Sequence, residues 1–384
     1  MDLNALPFDT EALLAGLKPW IECESPTFDP AAVNRMMDLA AADTAAAGAT
    51  ITRIAGPAGL GDCVLGDFPH PRRGEPGILV MSHLDTVHPV GTLEKLPFRR
   101  EGTRCYGPGI LDMKGGAYAG LQAIVALAKA GVETPLPVSV LYTSDEEIGS
   151  PGTREIIMEQ ARRHRFILVP EPGQPGQTGD NVVTGRYAIA RFNLLAEGRP
   201  SHAGSKLKDG RSAISMMARQ LLAIEAMTDE DCTFSVGVIH GGQWVNCVPT
   251  TCRAEALSMA KRQADLDRGV ERMLALTSRD ADGTGFTVTR GVTRPVWEPD
   301  EATLRLYGLA REIAGELGWE LGHVSAGGGS DANFTGAAGI PSLDGLGVLG
   351  AGYHTLGEYI EVESLPRRIR LLAGLLSRLQ GLSD

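Results

Sequence analysis

Three short runs, GILVMSHLD (77–85), VSVLYTSDE (138–146) and FILVPEPG (166–173), are almost continuously apolar and end in polar, acidic tips. Apolarity without alternation predicts strands buried on both faces. Between the first two, KGGAYAGLQAIVALAKAG places Ala117, Leu121, Ile124, Val125 and Ala128 at helical spacing, with Gly131 as a stop. This alternation predicts an α/β fold with a doubly wound, mostly parallel sheet and helices on both faces. In that architecture sites form outside the carboxyl ends of the strands, where the acidic tips fall.

From Arg186 the pattern changes. YAIARFNLLAEG (187–198) and RAEALSMA (253–260) alternate in part, as half-buried strands do, and DGRSAISMMARQLLAIEAM reads as an amphipathic helix starting at Asp209. Near Pro299 the first pattern resumes, through EATLRLYGLAREIAGEL to LPRRIRLLAGLLSRLQ. The expected organisation is a main domain of residues 1–186 and 299–384, interrupted at 187–298 by a smaller inserted α/β two-layer sandwich. In the last helix Ile369, Leu372, Leu375, Leu376 and Leu379 share one side, which predicts a core-facing helix.

The 384 residues suffice for two or three domains without covalent staples. A net charge of −11 leaves no basic footprint for nucleic acid, so small molecules or peptides are the expected partners. No apolar run approaches the ~20 residues that span a membrane. The N-terminus carries Asp2, Asp9 and Glu11 and lacks a basic region followed by an apolar stretch, from which a cytoplasmic location is expected. The six cysteines are scattered without a CxxC pair, which predicts free thiols and no thiolate zinc site.

The strand tips and later loops supply His83 and Asp85, Asp112, Glu146 and Glu147, Glu171 and His354. All are nitrogen or oxygen ligand types suited to zinc and its neighbours, and two ions about 3.5–4 Å apart are commonly held by carboxylates and a shared water. Adjacent acids at a strand end point to opposite sides, so one of Glu146 and Glu147 ligates and the other is free for acid–base work. The spacing of HLD puts His83 and Asp85 on one face, letting Asp85 accept the proton on the second ring nitrogen of His83. Alone, each residue is ordinarily structural or solvated; their convergence on one face is what points to a site.

MSHLDTVHPVG (81–91), YGPGILDMKGG (106–116), TSDEEIGSPGTR (143–154), VPEPG (169–173), GRPSHAG (198–204) and GGGSDANF with GYHTLGEYI (327–334, 352–360) occur in order. In them the chain resembles the co-catalytic metallopeptidases of the aminoacylase and glutamate carboxypeptidase type, over essentially its whole length. The resemblance implies that His83, Asp112, Glu147, Glu171 and His354 bind two divalent ions, zinc foremost with manganese or cobalt as alternatives, and that Asp112 bridges them. It makes Glu146 the general base, Asp85 the orienter of His83, and His202 an oxyanion donor reaching the neighbouring subunit of a homodimer formed through the inserted lid domain. Asp112 then reads as a bridging ligand and not as a helix cap, with nearby glycines letting the backbone approach the ions. The implied activity is hydrolysis of an amide C–N bond in N-acyl amino acids or small peptides.

One departure matters. Such relatives carry an arginine for the substrate carboxylate a few residues after an Asn-x-x-Pro segment; here NCVPTTCRAEALSMAK keeps Asn246 and Pro249 but has Met259 where that arginine falls. A thioether cannot supply the forked, charged donor. Arg294, Lys206 and Asn246 are the remaining substrate-binding candidates. The loss also keeps open an amidohydrolase or hydrolytic deaminase of the same fold acting on a non-peptide substrate, an aromatic amine being one example. GLGVLG (345–350) spells a dinucleotide motif but no helix pattern follows it, and SKLK (205–208) lacks its companion motifs.

Overall fold

In the computed structural model of the chain, which describes residues 2–176 and 179–380, the three continuous apolar runs are adjacent strands of one sheet. Its spatial order is Thr50–Ile54, Cys63–Asp67, Val138–Thr143, Gly77–His83, His164–Leu168 and Ser342–Leu343. The last four are parallel to one another, with Ile78 opposite Val138 and Phe166, and the first two add antiparallel edges. Gly77–His83 and Val138–Thr143 are buried along their whole lengths, which is why neither alternates in sequence.

Helices cover this sheet. The predicted helix spans Gly115–Lys129 and packs on Gly77–His83 and on the final helix Ser364–Arg378; Pro30–Ala46, Arg154–Arg162 and Glu301–Glu316 pack on other strands. Ile369, Leu372, Leu375, Leu376 and Leu379 are all fully buried, so the last helix faces the core. Contacts divide the chain into a unit of Met1–Gly185, Glu298–Ala326 and Ser330–Asp384 and a second unit of Arg186–Trp297 with Gly327–Gly329. Among the described residues no helix is long and apolar enough to cross a membrane.

The second unit is an antiparallel sheet in the order Cys232–Gly241, Thr251–Ala260, Ala188–Glu197, Gly285–Arg294 and Ser278–Arg279. Ala188, Ala190, Phe192, Leu194 and Ala196 alternate onto one face, and the helices Ala213–Glu225 and Gln263–Leu274 pack on the sheet to close that core. The first of these helices does not start at Asp209. Asp209 ends a separate short turn, Gly210 is extended, and the Ser212 side chain accepts from the Ser215 amide as the true cap.

His164 opens the strand His164–Leu168, and its Nδ1 donates to the Gln160 carbonyl at 2.7 Å. Burial pushes its imidazole below the usual value of 6.5, and the Gln160 hydrogen bond only partly opposes this. The unfolded chain therefore binds the extra proton first as pH falls, so stability is lost from about pH 6.5 downward to the depressed folded value. Replacing His164 with glutamine is expected to flatten that acid limb by at most about 1.4 kcal/mol per pH unit. Parallel denaturant-derived stability profiles for the two proteins would reject the assignment.

Candidate metal centre

His83 ends the strand Gly77–His83, Glu146 and Glu147 follow Val138–Thr143, and Glu171 follows His164–Leu168. Three adjacent parallel strands thus deliver their tips to one edge of the sheet. Asp112 lies in the irregular turn Ile110–Lys114 ahead of the helix Gly115–Lys129. His354 sits between the short paired strands Gly350–Ala351 and Tyr359–Glu361 with φ of 63°, a left-handed conformation unfavourable for a residue with a side chain.

Local glycines serve the protein's own backbone more than the cluster. A side chain at Gly116 or Gly347 would collide with the Pro170 carbonyl, and the Gly347 amide donates to the Glu171 carbonyl at 2.8 Å. These two positions let the segment carrying Glu171 pass between a helix and a loop. At Gly116, close behind Asp112, the tight approach is thus to protein backbone.

The Asp112 carboxylate faces two ways. Its Oδ1 lies 3.1 Å from His83 Nε2, and its Oδ2 lies 3.2 Å from His354 Nε2. Glu171 Oε1 joins the first side, 3.7 Å from His83 Nε2, and Glu147 Oε2 the second, 3.1 Å from His354 Nε2. Ligand atoms of His83, Asp112 and Glu147 fall within 4.8 Å of one another. Donors of this kind at these separations fit divalent cations, and the shared carboxylate fits a pair.

The electrostatics agree with that fit. Burial opposes ionisation of Asp112, yet hydrogen bonds to His354 and His83 hold its carboxyl below the usual range. Burial pushes Glu171 well above the ordinary carboxylate value, with the Asp112 charge adding to it, and burial raises Glu147 as well. Hydrogen bonds to Asp112 and Glu147 carry the His354 imidazole up to about 11. On His83, burial is outweighed by the hydrogen bond to Asp112 and by the neighbouring Asp85 carboxylate, which together hold its imidazole well above the usual value. A group of acids that raises both its histidines and two of its own members, Glu147 and Glu171, is a group that favours positive charge among them.

Asp85 does more than, and something different from, the expected single contact. His83 Nδ1 lies 3.0 Å from the Asp85 backbone carbonyl, whereas the Asp85 carboxylate is 3.5 Å away, beyond good hydrogen-bond length. That carboxylate instead accepts from Thr27 Oγ1 at 2.7 Å and from the amides of Glu146 and Glu147 at 3.1 and 3.3 Å. Glu146 and Glu147 accordingly sit in a single helical turn, Glu146–Ile148, and not on the strand end, which stops at Thr143. A turn anchored by a buried carboxylate separates the two acids where strand alternation was expected to do so.

Sequence reasoning missed three supporting residues. Thr27 caps the Asp85 carboxylate; Lys114, 1% exposed, donates from Nζ to the Cys23 carbonyl at 2.7 Å, its amine pushed down to about 8 by burial; and Glu358, fully buried, accepts from the Asp112 amide. Glu358 lay inside a recognised motif, GYHTLGEYI, and a glutamate two residues before an isoleucine that must be core was the available signal.

The second unit brings His202 and Asn246 together. His202 is bridged to Cys247, and the Ala203 amide donates to the Asn246 carbonyl at 3.0 Å. His202 Nδ1 accepts from the Gly204 and Ser205 amides at 3.1 and 3.2 Å, which leaves its proton on the exposed Nε2. Lys206 is exposed and, among the described residues, its amine pairs with Asp209 at 3.9 Å. Arg294 is 3% exposed and occupies one row of the sheet with Ile189 and Met259: Ile189 pairs with both. The same row lies against the glycine segment, where a side chain at Gly329 would meet Arg294 and Ile189.

The model of peptidase family M20/M25/M40 matches residues 79–378. Carboxypeptidase G2 of Pseudomonas sp. (strain RS-16) is 32% identical over 375 residues, 95% of this chain and 88% of that protein. A succinyl-diaminopimelate desuccinylase of Xanthomonas campestris pv. campestris (strain B100) is 28% identical over 327 residues, covering 80% and 84%. Among solved structures, a tripeptidase from Staphylococcus aureus superposes with a TM-score of 0.76 at 21% identity over 96% of this chain and 98% of that one. The metallo-carboxypeptidase Sso-CP2 from Sulfolobus solfataricus gives 0.76 at 15% identity, covering 95% and 98%.

Proposed function

The chain belongs to peptidase family M20/M25/M40 and is a metallohydrolase, and from that premise we infer that it cleaves the C–N bond of N-acyl amino acids or small peptides at a centre of two divalent ions. The observation that carries this reading is the Asp112 carboxylate with a histidine at each oxygen. His83, Asp112 and Glu171 make one half-site and Asp112, Glu147 and His354 the other. Bound ions would acidify a water and polarise the scissile carbonyl; zinc is the expected metal, with manganese and cobalt compatible with the same donors. Glu146 takes the proton of the attacking water and hands it to the leaving nitrogen. Asp85 holds the turn that presents Glu146 and Glu147.

His202, with its proton on Nε2, suits donation to the developing oxyanion. The inserted unit is proposed as the dimerisation domain. Cys232–Gly241 is an edge strand whose Val238 and Ile239 are exposed, and Trp244 and Val245 beyond it are 72% and 101% exposed. The expected particle is a homodimer, with His202 acting in the partner's site. Substituting His202 with alanine should lower kcat by about 10²–10³ without changing metal content. Mixing His202→Ala with Glu146→Ala chains should then restore activity, because one hybrid site has both groups; no recovery would reject the action in trans.

Arg294 is proposed as the carboxylate grip in place of Met259. It occupies the same row two strands away, about 10 Å. A panel of N-acyl-glutamates, other N-acyl amino acids, dipeptides and carboxylated aromatic amines, assayed for amine and ammonia release with zinc, cobalt and manganese, tests the substrate class. Acylated amino acids or dipeptides are expected to turn over. Ammonia from an aromatic amine alone would instead favour the deaminase reading that Met259 keeps open.

A further inference from the structure

We propose that Glu358 is a positioning residue that sets the geometry and affinity of the metal pair by fixing the backbone on which Asp112 is carried. The proposal rests on the two-ion reading above. Glu358 is fully buried, and both of its oxygens are saturated. Oε2 accepts from the Gly109 amide at 2.9 Å and lies 2.7 Å from His88 Nε2; Oε1 accepts from the Leu111 and Asp112 amides at 2.8 and 3.1 Å. One carboxylate therefore gathers three amides of the turn that ends in Asp112.

Its place in the chain gives these bonds their consequence. Glu358 stands four residues after His354 and immediately before Tyr359–Glu361, which pairs with Arg104–Tyr106 at the start of the Asp112 segment. Its own carbonyl accepts from the Gly107 amide at 3.4 Å. The residue thus ties the loop of His354 to the turn of Asp112, the two sides of the 3.2 Å contact in the second half-site. A buried carboxylate is tolerated because charge-assisted hydrogen bonds surround it, and those bonds are lost if the charge is lost.

Glutamine at 358 is diagnostic because it keeps the volume. In either amide orientation its NH2 faces at least one backbone N–H: Gly109 on one side, Leu111 and Asp112 on the other. One strand of the tether must then break, and Asp112 loses its fixed orientation.

The test is cobalt titration of the full chain by calorimetry, with the visible spectrum of the cobalt-loaded protein and the magnetic coupling of the manganese-loaded pair as further readouts. For Glu358→Gln the weaker of the two dissociation constants is expected to rise about 10–100-fold, with a changed cobalt spectrum and reduced coupling. Glu358→Asp, which restores the charge on a shorter arm, should recover part of the loss. Where Glu358→Gln does not fold, His88→Phe removes one donor and should move the same constant in the same direction by a smaller factor. A variant that melts earlier but binds two ions with wild-type constants and spectrum would overturn the proposal. A wild-type protein that binds fewer than two ions would instead overturn the two-ion reading.

Discussion

A Glu146→Ala enzyme is expected to turn over about 10²–10⁴-fold more slowly than the parent, a barrier increase of about 2.7–5.5 kcal/mol, while retaining its full metal content and nearly the same KM. The division of labour between two neighbouring glutamates is at stake. Glu147 Oε2 is 3.1 Å from His354 Nε2 and is the proposed ligand; Glu146 shares its turn, with its amide bonded to the other oxygen of Asp85. The backbone of both residues is therefore held by one anchor, and alanine at 146 removes a carboxylate without releasing the turn. Elemental analysis of the purified variant beside single-turnover kinetics distinguishes the roles. Should the variant lose an ion, Glu146 is a ligand and the base must be sought elsewhere. Should it keep both ions and full turnover, proton transfer does not pass through this residue.

What the sequence made legible was what strong local patterns encode. Buried parallel strands announce themselves by continuous apolar runs, and their polar ends mark where side chains leave the sheet, so His83 and Glu171 could be placed from pattern alone. The helix Gly115–Lys129 was equally plain. Features fixed by contacts between distant segments were not. The turn at Glu146–Ile148 replaces a strand end because Asp85, some sixty residues earlier, accepts its amides. Ser212 and not Asp209 caps the next unit's first helix because Gly210 is extended between them. Gly327–Gly329 groups with the inserted unit although the chain on both sides belongs to the other, and no periodicity signals such a return. Glu358 acts through backbone amides, which no residue pattern reveals.

The charges around the centre are arranged in depth. Asp112 and Glu147 meet His354 at a position 47% exposed, while His83 and Glu171 meet beneath at 1% and 7%. The two half-sites therefore differ in solvation though they share a carboxylate. Under the proposed two-ion reading, a cation held in the inner half would exchange more of its water for protein donors, and the outer half would keep access to a substrate carbonyl. Loss of His354 should accordingly weaken one ion, whereas loss of the shared acid reaches both.

Asp112→Asn is the substitution with the widest expected effect. An amide keeps the size and one oxygen but removes the negative charge that serves both half-sites, and its NH2 directs donors at one histidine or the other. Two consequences follow with different readouts. Bound metal should drop from two ions per chain to one or none, with kcat lower by at least about 10³, since both the acidified water and the polarised carbonyl depend on the pair. The stabilisation conferred by metal should also collapse: an ion at 1,000 times its dissociation constant adds about 4 kcal/mol to the folded state, and a variant that no longer binds gains nothing. Thermal melts with and without zinc measure this without any substrate, so the result stands apart from the choice of acyl group. His354→Ala is the internal control, expected to lose one ion and only part of the zinc-dependent rise. If Asp112→Asn instead behaves like His354→Ala, losing one ion and keeping the other at its original affinity, Asp112 belongs to a single half-site and the carboxylate is not shared.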